Sequence, residues 1–377
     1  MRVLGESPGA FSVVMATGIL AVAAHALGLG PESWLLIALS VAAAVVLLAA
    51  RAPRLAAQVA RPERRPEVAF GLLTVVAGTA VIGTWVAEDA ADGFAAALVI
   101  WVLSLIAWLG LVRAPAAALA SARFADRARG EWFLAAVAPF SLAVLAATLA
   151  RVQDVPPLLV AAIPLWVAGV LAYGLAAAAL AQRLRRGPRD WALCTPDAWI
   201  TMGGLAIATV ATLSLRRAAI DCSFMTGSEG GLGTVARITW VAATLLLLPV
   251  AGAFAARLVR HRPVEDLPRA WAAIFPLGMY ALASHELSTQ WGARGLDRLA
   301  VIVFWIALAA WVAAAAGTAI ATLTRLAPRP CQIRGPAGDL SGDDVPRPVQ
   351  EDHRRAGRGP GDARAGARAR AGSRTGP

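Results

Sequence analysis

The stretch "RAWAAIFPLGMYALAS", Arg269 to Ser284, carries a conflict that any fold for this chain must resolve. It is apolar enough to lie in a membrane, yet it places Phe275, Pro276 and Gly278 within four residues. A proline inside a helix removes an N–H and crowds the carbonyl four residues back, here that of Ala272, at a cost of roughly 3 kcal/mol in a soluble helix. In lipid the freed carbonyl needs a partner, so this helix is expected to face protein or a wet cavity.

The surrounding sequence supports a membrane setting. Of 377 residues, 58% are hydrophobic and 16% charged, with a mean hydropathy of +0.63. The apolar residues form long blocks, which points to a polytopic membrane protein. Ten spans are expected, at about 9–28, 33–50, 68–87, 94–112, 132–150, 157–181, 198–215, 238–256, 270–289 and 299–324. The first apolar run, Phe11 to Leu29, is read as a span rather than a signal peptide.

The net charge of +11 comes from arginine alone, since the chain has no lysine. Arg51, Arg54, Arg61, Arg64 and Arg65 lie between spans 2 and 3, and similar clusters follow spans 4, 6 and 8. The opposite connectors hold far fewer, and the first two hold none. Positive charge stays inside, so both termini are expected in the cytoplasm, and the charge reads as a topology signal rather than nucleic-acid binding. The dominance of alanine and arginine points to a GC-rich, bacterial source and hence the cell's inner (plasma) membrane. Residues 1–326 read as a transmembrane pore domain. Residues 327–377, rich in Arg, Gly and Pro, read as a disordered cytoplasmic tail.

Short outer connectors pair the spans into five hairpins, and the odd spans share a pattern. Each begins near an aromatic: Phe11, Phe70, Trp132, Trp199 and Trp271. Seven residues on stand Gly18, Ala77, Pro139, Ala206 and Gly278, each small or a helix breaker. The even spans lack the pattern and read as plain lipid-facing helices. The expected fold is therefore an all-α bundle of ten transmembrane helices, five hairpins in a quasi-fivefold ring, with odd helices inside around a central pore and even helices outside. Gly18, Pro139, Pro276 and Gly278 are the expected kinks; close helix packing at small residues is the alternative. Met15, Thr74, Ala77, Ala136, Gly203 and Ala206 are the expected pore lining, with Phe275 as the gate and Phe140 as a second constriction.

Four segments carry a family resemblance: "SPGAFSVVMATGIL", "WFLAAVAPFSLAVLAA", "PDAWITMGGLAIATVA" and "IFPLGMYALAS". Over about residues 7–325 the chain resembles the tellurite-resistance and C4-dicarboxylate transporter family, which includes plant slow anion channels, malate permeases and sulfite exporters. The resemblance implies five helical hairpins around a pore, a homotrimer, passage of small anions, and a plugging phenylalanine on the ninth helix at Phe275. It does not specify the anion.

Ionisable residues inside the spans are few: His25, His285 and Glu286. Such groups are functional candidates by default. His25 and His285 each lie fourteen residues after their aromatic and are expected at an outer vestibule, where a protonated imidazole attracts anions. A pore without fixed charge binds anions weakly and favours those that shed water easily. The alternative is a proton-coupled dicarboxylate or sulfite carrier using His285 and Glu286. An enzyme is not expected. "SHELSTQ" lacks the second histidine of a zinc-hydrolase pattern, and "GSEGGLG" follows no strand. Cys194, Cys222 and Cys331 are too scattered for a metal site, so neither metal nor cofactor is expected.

Overall fold

The computed structural model describes residues 11–59, 66–89, 92–120, 128–186, 195–224, 227–260 and 271–326. The tail expected from 327 onward lies outside them, as do Cys194 and Cys331. The described residues are almost all helical, without strands. Among the described residues, ten helices of 15 or more residues follow one another: α1 (Ser12–Ala26), α2 (Gly30–Val59), α3 (Pro66–Asp89), α4 (Gly93–Leu111), α5 (Leu134–Val152), α6 (Pro156–Arg186), α7 (Trp199–Asp221), α8 (Glu229–Arg260), α9 (Trp271–Trp291) and α10 (Arg294–Leu326). A short helix, Arg113–Ala120, follows α4.

Eight of these are long and apolar enough to cross a membrane; α1 and α9 are not among them. α1 has only 15 residues. α9 ends in a polar segment containing His285, Glu286, Thr289 and Gln290. Both are nonetheless largely buried by their neighbours. A helix shielded by protein need not be apolar on every face, whereas one bathed in lipid must be.

The odd and even helices differ in burial. Almost every residue of α5 and α7 is covered, while α4, α6, α8 and α10 present bulky residues such as Leu103, Leu171, Leu245 and Ile302 to the outside. The odd helices pack in a closed circuit: α1 on α3, α3 on α5, α5 on α7, α7 on α9, and α9 on α1. Each even helix packs mainly on its hairpin partner and also touches the next odd helix. The hairpins turn tightly. Gly28, at φ +77°, closes α1, its N–H bonding to the carbonyl of His25 at 3.0 Å, and Gly292, at φ +66°, follows α9. Such left-handed endings suit glycine, which has no Cβ to clash.

The even helices are more than lipid-facing cylinders. The indole N–H of Trp101 on α4 donates to the Leu142 carbonyl of α5 at 3.1 Å, and Trp166 on α6 donates to Thr212 of α7 at 2.9 Å. Trp240 on α8 donates to Ser284 of α9 at 3.0 Å, and Trp311 on α10 to Thr17 of α1 at 2.9 Å. Four outer helices thus each fasten to the following inner helix through one tryptophan. Where hydrophobic contrast with lipid is absent, small residues and such polar links are what associate helices. This second periodic feature corrects the reading of the even spans as featureless.

Candidate functional site

Two cavities lie between the inner helices. The deeper one, about 280 Å³ including open space, is lined by Ile19, Val22, Val81, Thr84, Ser141, Val144, Ile207, Val210, Met279 and Leu282. Each inner helix contributes one pair of residues three apart, and no outer helix contributes. These form two stacked rings. The first holds Ile19, Val81, Ser141, Ile207 and Met279; the second holds Val22, Thr84, Val144, Val210 and Leu282. The wider cavity, about 430 Å³ including its open mouth, shares the second ring and adds Ala26, Glu88, Thr148, Ser214 and Glu286 as a third, with Arg151 and Arg217 beyond it. The rings climb toward the C-terminal ends of the inner helices, the side of the short connectors.

The spacing along each helix follows from helix geometry. At about 100° per residue, steps of three and four in alternation return to nearly the same direction every seven residues. Val144 and Arg151, or Val210 and Arg217, are such heptad neighbours. The rings also give the true register of the repeat. α1, α7 and α9 align as their first aromatics predict. On α5 the equivalent position is held by Phe133 rather than Trp132, and on α3 by the aliphatic Leu73 rather than Phe70. Aromatics at a membrane boundary mark depth only loosely, so they shift by up to a turn while the buried stripe cannot.

The deeper walls offer an anion little. The Ser141 hydroxyl donates to the Val137 carbonyl at 2.9 Å and that of Thr84 to Ala80 at 3.0 Å, so both protons are spent on their own helices. One turn below the deepest ring, on the same faces, come Met15, Ala77, Val137, Gly203 and Phe275. All five are buried, and Phe275 has no exposed surface. Three of the five are small, so the Phe275 and Met15 side chains supply most of the volume at that level.

The other expected residues lie elsewhere. Thr74, Ala136 and Ala206 are buried and line neither cavity. Phe140 is buried against α6: a Cβ placed on Gly169 would come within 2.6 Å of its ring. Its ring therefore fills a seam between an inner and an outer helix. Gly18 faces Val81 of α3 and Ser40 of α2, and Gly278 faces Ile19 of α1; a methyl added to either glycine would meet these neighbours at 3.1 and 2.9 Å respectively. Gly203 faces Pro276, at 2.8 Å by the same measure. These glycines serve close helix approach, the alternative reading made from sequence. α5 and α9 run on through Pro139 and Pro276 as continuous helices.

Neither His25 nor His285 lines either of these two cavities. Each faces a carboxylate: His25 Nδ1 lies 3.2 Å from Asp89, and His285 Nδ1 lies 2.9 Å from Asp297. Their chain neighbours Ala26 and Glu286 take the wall instead. Sequence reasoning missed Glu88, Arg151 and Arg217, which it treated as connector charges. Glu88 pairs with Arg151 at 3.4 Å, and Glu286 pairs with Arg217. The heptad step from Val144 and Val210 was the signal available for the two arginines.

The inner helices thus line stacked rings of side chains, and sequence comparison identifies the family. A family model described as "Voltage-dependent anion channel" matches residues 6–319. The chain belongs to the voltage-dependent anion channel family. This is the family the sequence resemblance pointed to. Membership makes the protein a multi-pass membrane protein of an anion channel and transporter family. It is also similar to two proteins of Mycobacterium tuberculosis, from strains CDC 1551 / Oshkosh and H37Rv, each described as an uncharacterized membrane protein. Identity to each is 28% over 116 residues, which is 30% of this chain and 58% of the relative's length.

Proposed function

We propose that the protein conducts small anions through a quasi-fivefold pore enclosed by α1, α3, α5, α7 and α9, closed by the side chain of Phe275. The observation that carries this reading is the stacking of three rings, each with one residue from every inner helix, above a sealed level where Phe275 is the largest ring. The apolar neck holds no fixed charge, so an anion crosses it at the cost of shedding water. Weakly hydrated monovalent anions pass best on this account.

The wide cavity lies on the side of the arginine-poor connectors, so it opens outward and both termini are cytoplasmic. The host is the inner membrane of a bacterium. The bulky apolar surface of the even helices faces lipid and the neighbours of a homotrimer, the assembly that the resemblance implies. Phe140 has no part in gating; its ring is engaged with α6.

Proteoliposomes test the proposal. Chloride and nitrate are expected to run down their gradients without a proton gradient, nitrate faster. Flux that saturates and requires an imposed proton gradient overturns the channel in favour of a carrier for dicarboxylates or sulfite. The position of Glu286 on the cavity wall, beside His285, is the feature that supports this second reading.

A further inference from the structure

The charges of the wide cavity are sorted by sector. Around the circuit of inner helices, α9 contributes Glu286, α1 Ala26, α3 Glu88, α5 Arg151 and α7 Arg217. The two arginines therefore stand on adjacent helices, and the two glutamates flank the uncharged α1. Each glutamate reaches the arginine next to it: Glu88 to Arg151 across α3 and α5, and Glu286 to Arg217 across α9 and α7. Arg217 also donates to Thr289 at 3.1 Å. About a third of each arginine side chain is open, 32% for Arg151 and 33% for Arg217, so both are reachable from the cavity.

Three neighbouring ionisable groups have partners of their own. His25 faces Asp89 and His285 faces Asp297. Arg216 bonds to Gln290 at 2.7 Å and to the Glu229 carbonyl at 3.1 Å, and lies over the Trp291 ring.

A guanidinium is a planar fork that matches planar oxyanions, and two on one wall form a concave receptor for them. Both forks already face carboxylates, those of Glu88 and Glu286. With about a third of each guanidinium open, the pairs are only partly shielded from water, and ion pairs in contact with water exchange with a competing ligand. We propose that Arg151 and Arg217 form a docking site for a small planar oxyanion, a monocarboxylate or nitrate, with Glu88 and Glu286 as tethered competitors that keep its affinity low. The site rests on the reading of the cavity as an anion route. It places a recognition step before the charge-free neck, and the competing carboxylates ensure that the ion is released into it.

Binding is measured on the purified protein in detergent, apart from conduction. Sodium formate and sodium nitrate are titrated against sodium chloride at constant ionic strength while the thermal unfolding midpoint is followed. The parent is expected to show saturable stabilisation at tens of millimolar. The double variant E88Q/E286Q is expected to bind about ten-fold more tightly. R151Q/R217Q is expected to lose the saturable phase, and R151K/R217K, which keeps the charge without the fork, to weaken it several-fold. Where the glutamine variant does not fold, the lysine variant decides. Unchanged affinity in the arginine variants, or weaker binding in E88Q/E286Q, overturns the site, as does a lack of saturation in both parent and E88Q/E286Q. Saturable binding without anion flux in liposomes overturns the channel reading and leaves the site intact; flux with unaltered binding in the arginine variants does the reverse.

Discussion

Replacing Phe275 with alanine tests the gate most directly. The side chain is fully buried one turn below Met279, at a level otherwise made of Met15, Ala77, Val137 and Gly203. For an ion to pass the intact protein, the ring must leave this packed site and forfeit its burial, worth about 1.5–3 kcal/mol for a phenylalanine. At 1.36 kcal/mol per factor of ten, removing that step raises flux roughly ten- to hundred-fold. Phe275→Leu keeps part of the volume and falls between. Truncation also costs stability, about 3–5 kcal/mol where the void stays dry and less where water enters from the cavity above. The assay is chloride and nitrate efflux from proteoliposomes, normalised to monodisperse protein. Parent-level flux in folded Phe275→Ala protein refutes the plug, and so does an equal rise in Phe140→Ala.

Three further outcomes follow from the geometry. Phe140→Ala, which vacates the seam facing Gly169, lowers stability by about 3–5 kcal/mol and leaves flux per folded molecule unchanged; thermal unfolding and efflux read the two effects separately. Gly203→Ala drives a methyl to within 2.8 Å of the Pro276 ring and 3.2 Å of its Cα, so α7 and α9 must part; a loss of about 1–3 kcal/mol is expected, and an unchanged unfolding midpoint contradicts the close packing. The double variant His25→Ala/His285→Ala keeps anion flux within about two-fold of the parent at both pH 5.5 and pH 8. The imidazoles face Asp89 and Asp297 rather than the cavity, and a large loss confined to acid pH would restore them to the vestibule.

Much of the architecture is legible along the chain because lipid imposes a local rule. A backbone crossing hydrocarbon must satisfy its own hydrogen bonds, so length and hydropathy mark spans before any contact is known. The broken motif around Pro276 and the recurrence of small residues distinguished the odd helices from the even ones for the same reason. The resemblance singled out Phe275, which the structure buries fully one turn below Met279. What misled was register. Phe70 and Trp132 are boundary aromatics, and depth counted from them added Thr74 and Ala136 to the expected lining beside Ala77 and left out Val137.

The sequence by itself therefore determined a polytopic helical chain and marked the odd segments as a distinct set, since these follow from composition and short-range periodicity. Only the tertiary structure decided which face of each inner helix meets the centre. That face depends on how five neighbours are rotated against one another, and a rotation of about 100° exchanges His285 for Glu286. The pairing of Glu88 with Arg151, and of Glu286 with Arg217, belongs to the same class. It joins residues more than sixty positions apart, brought together by the order in which the helices close their ring.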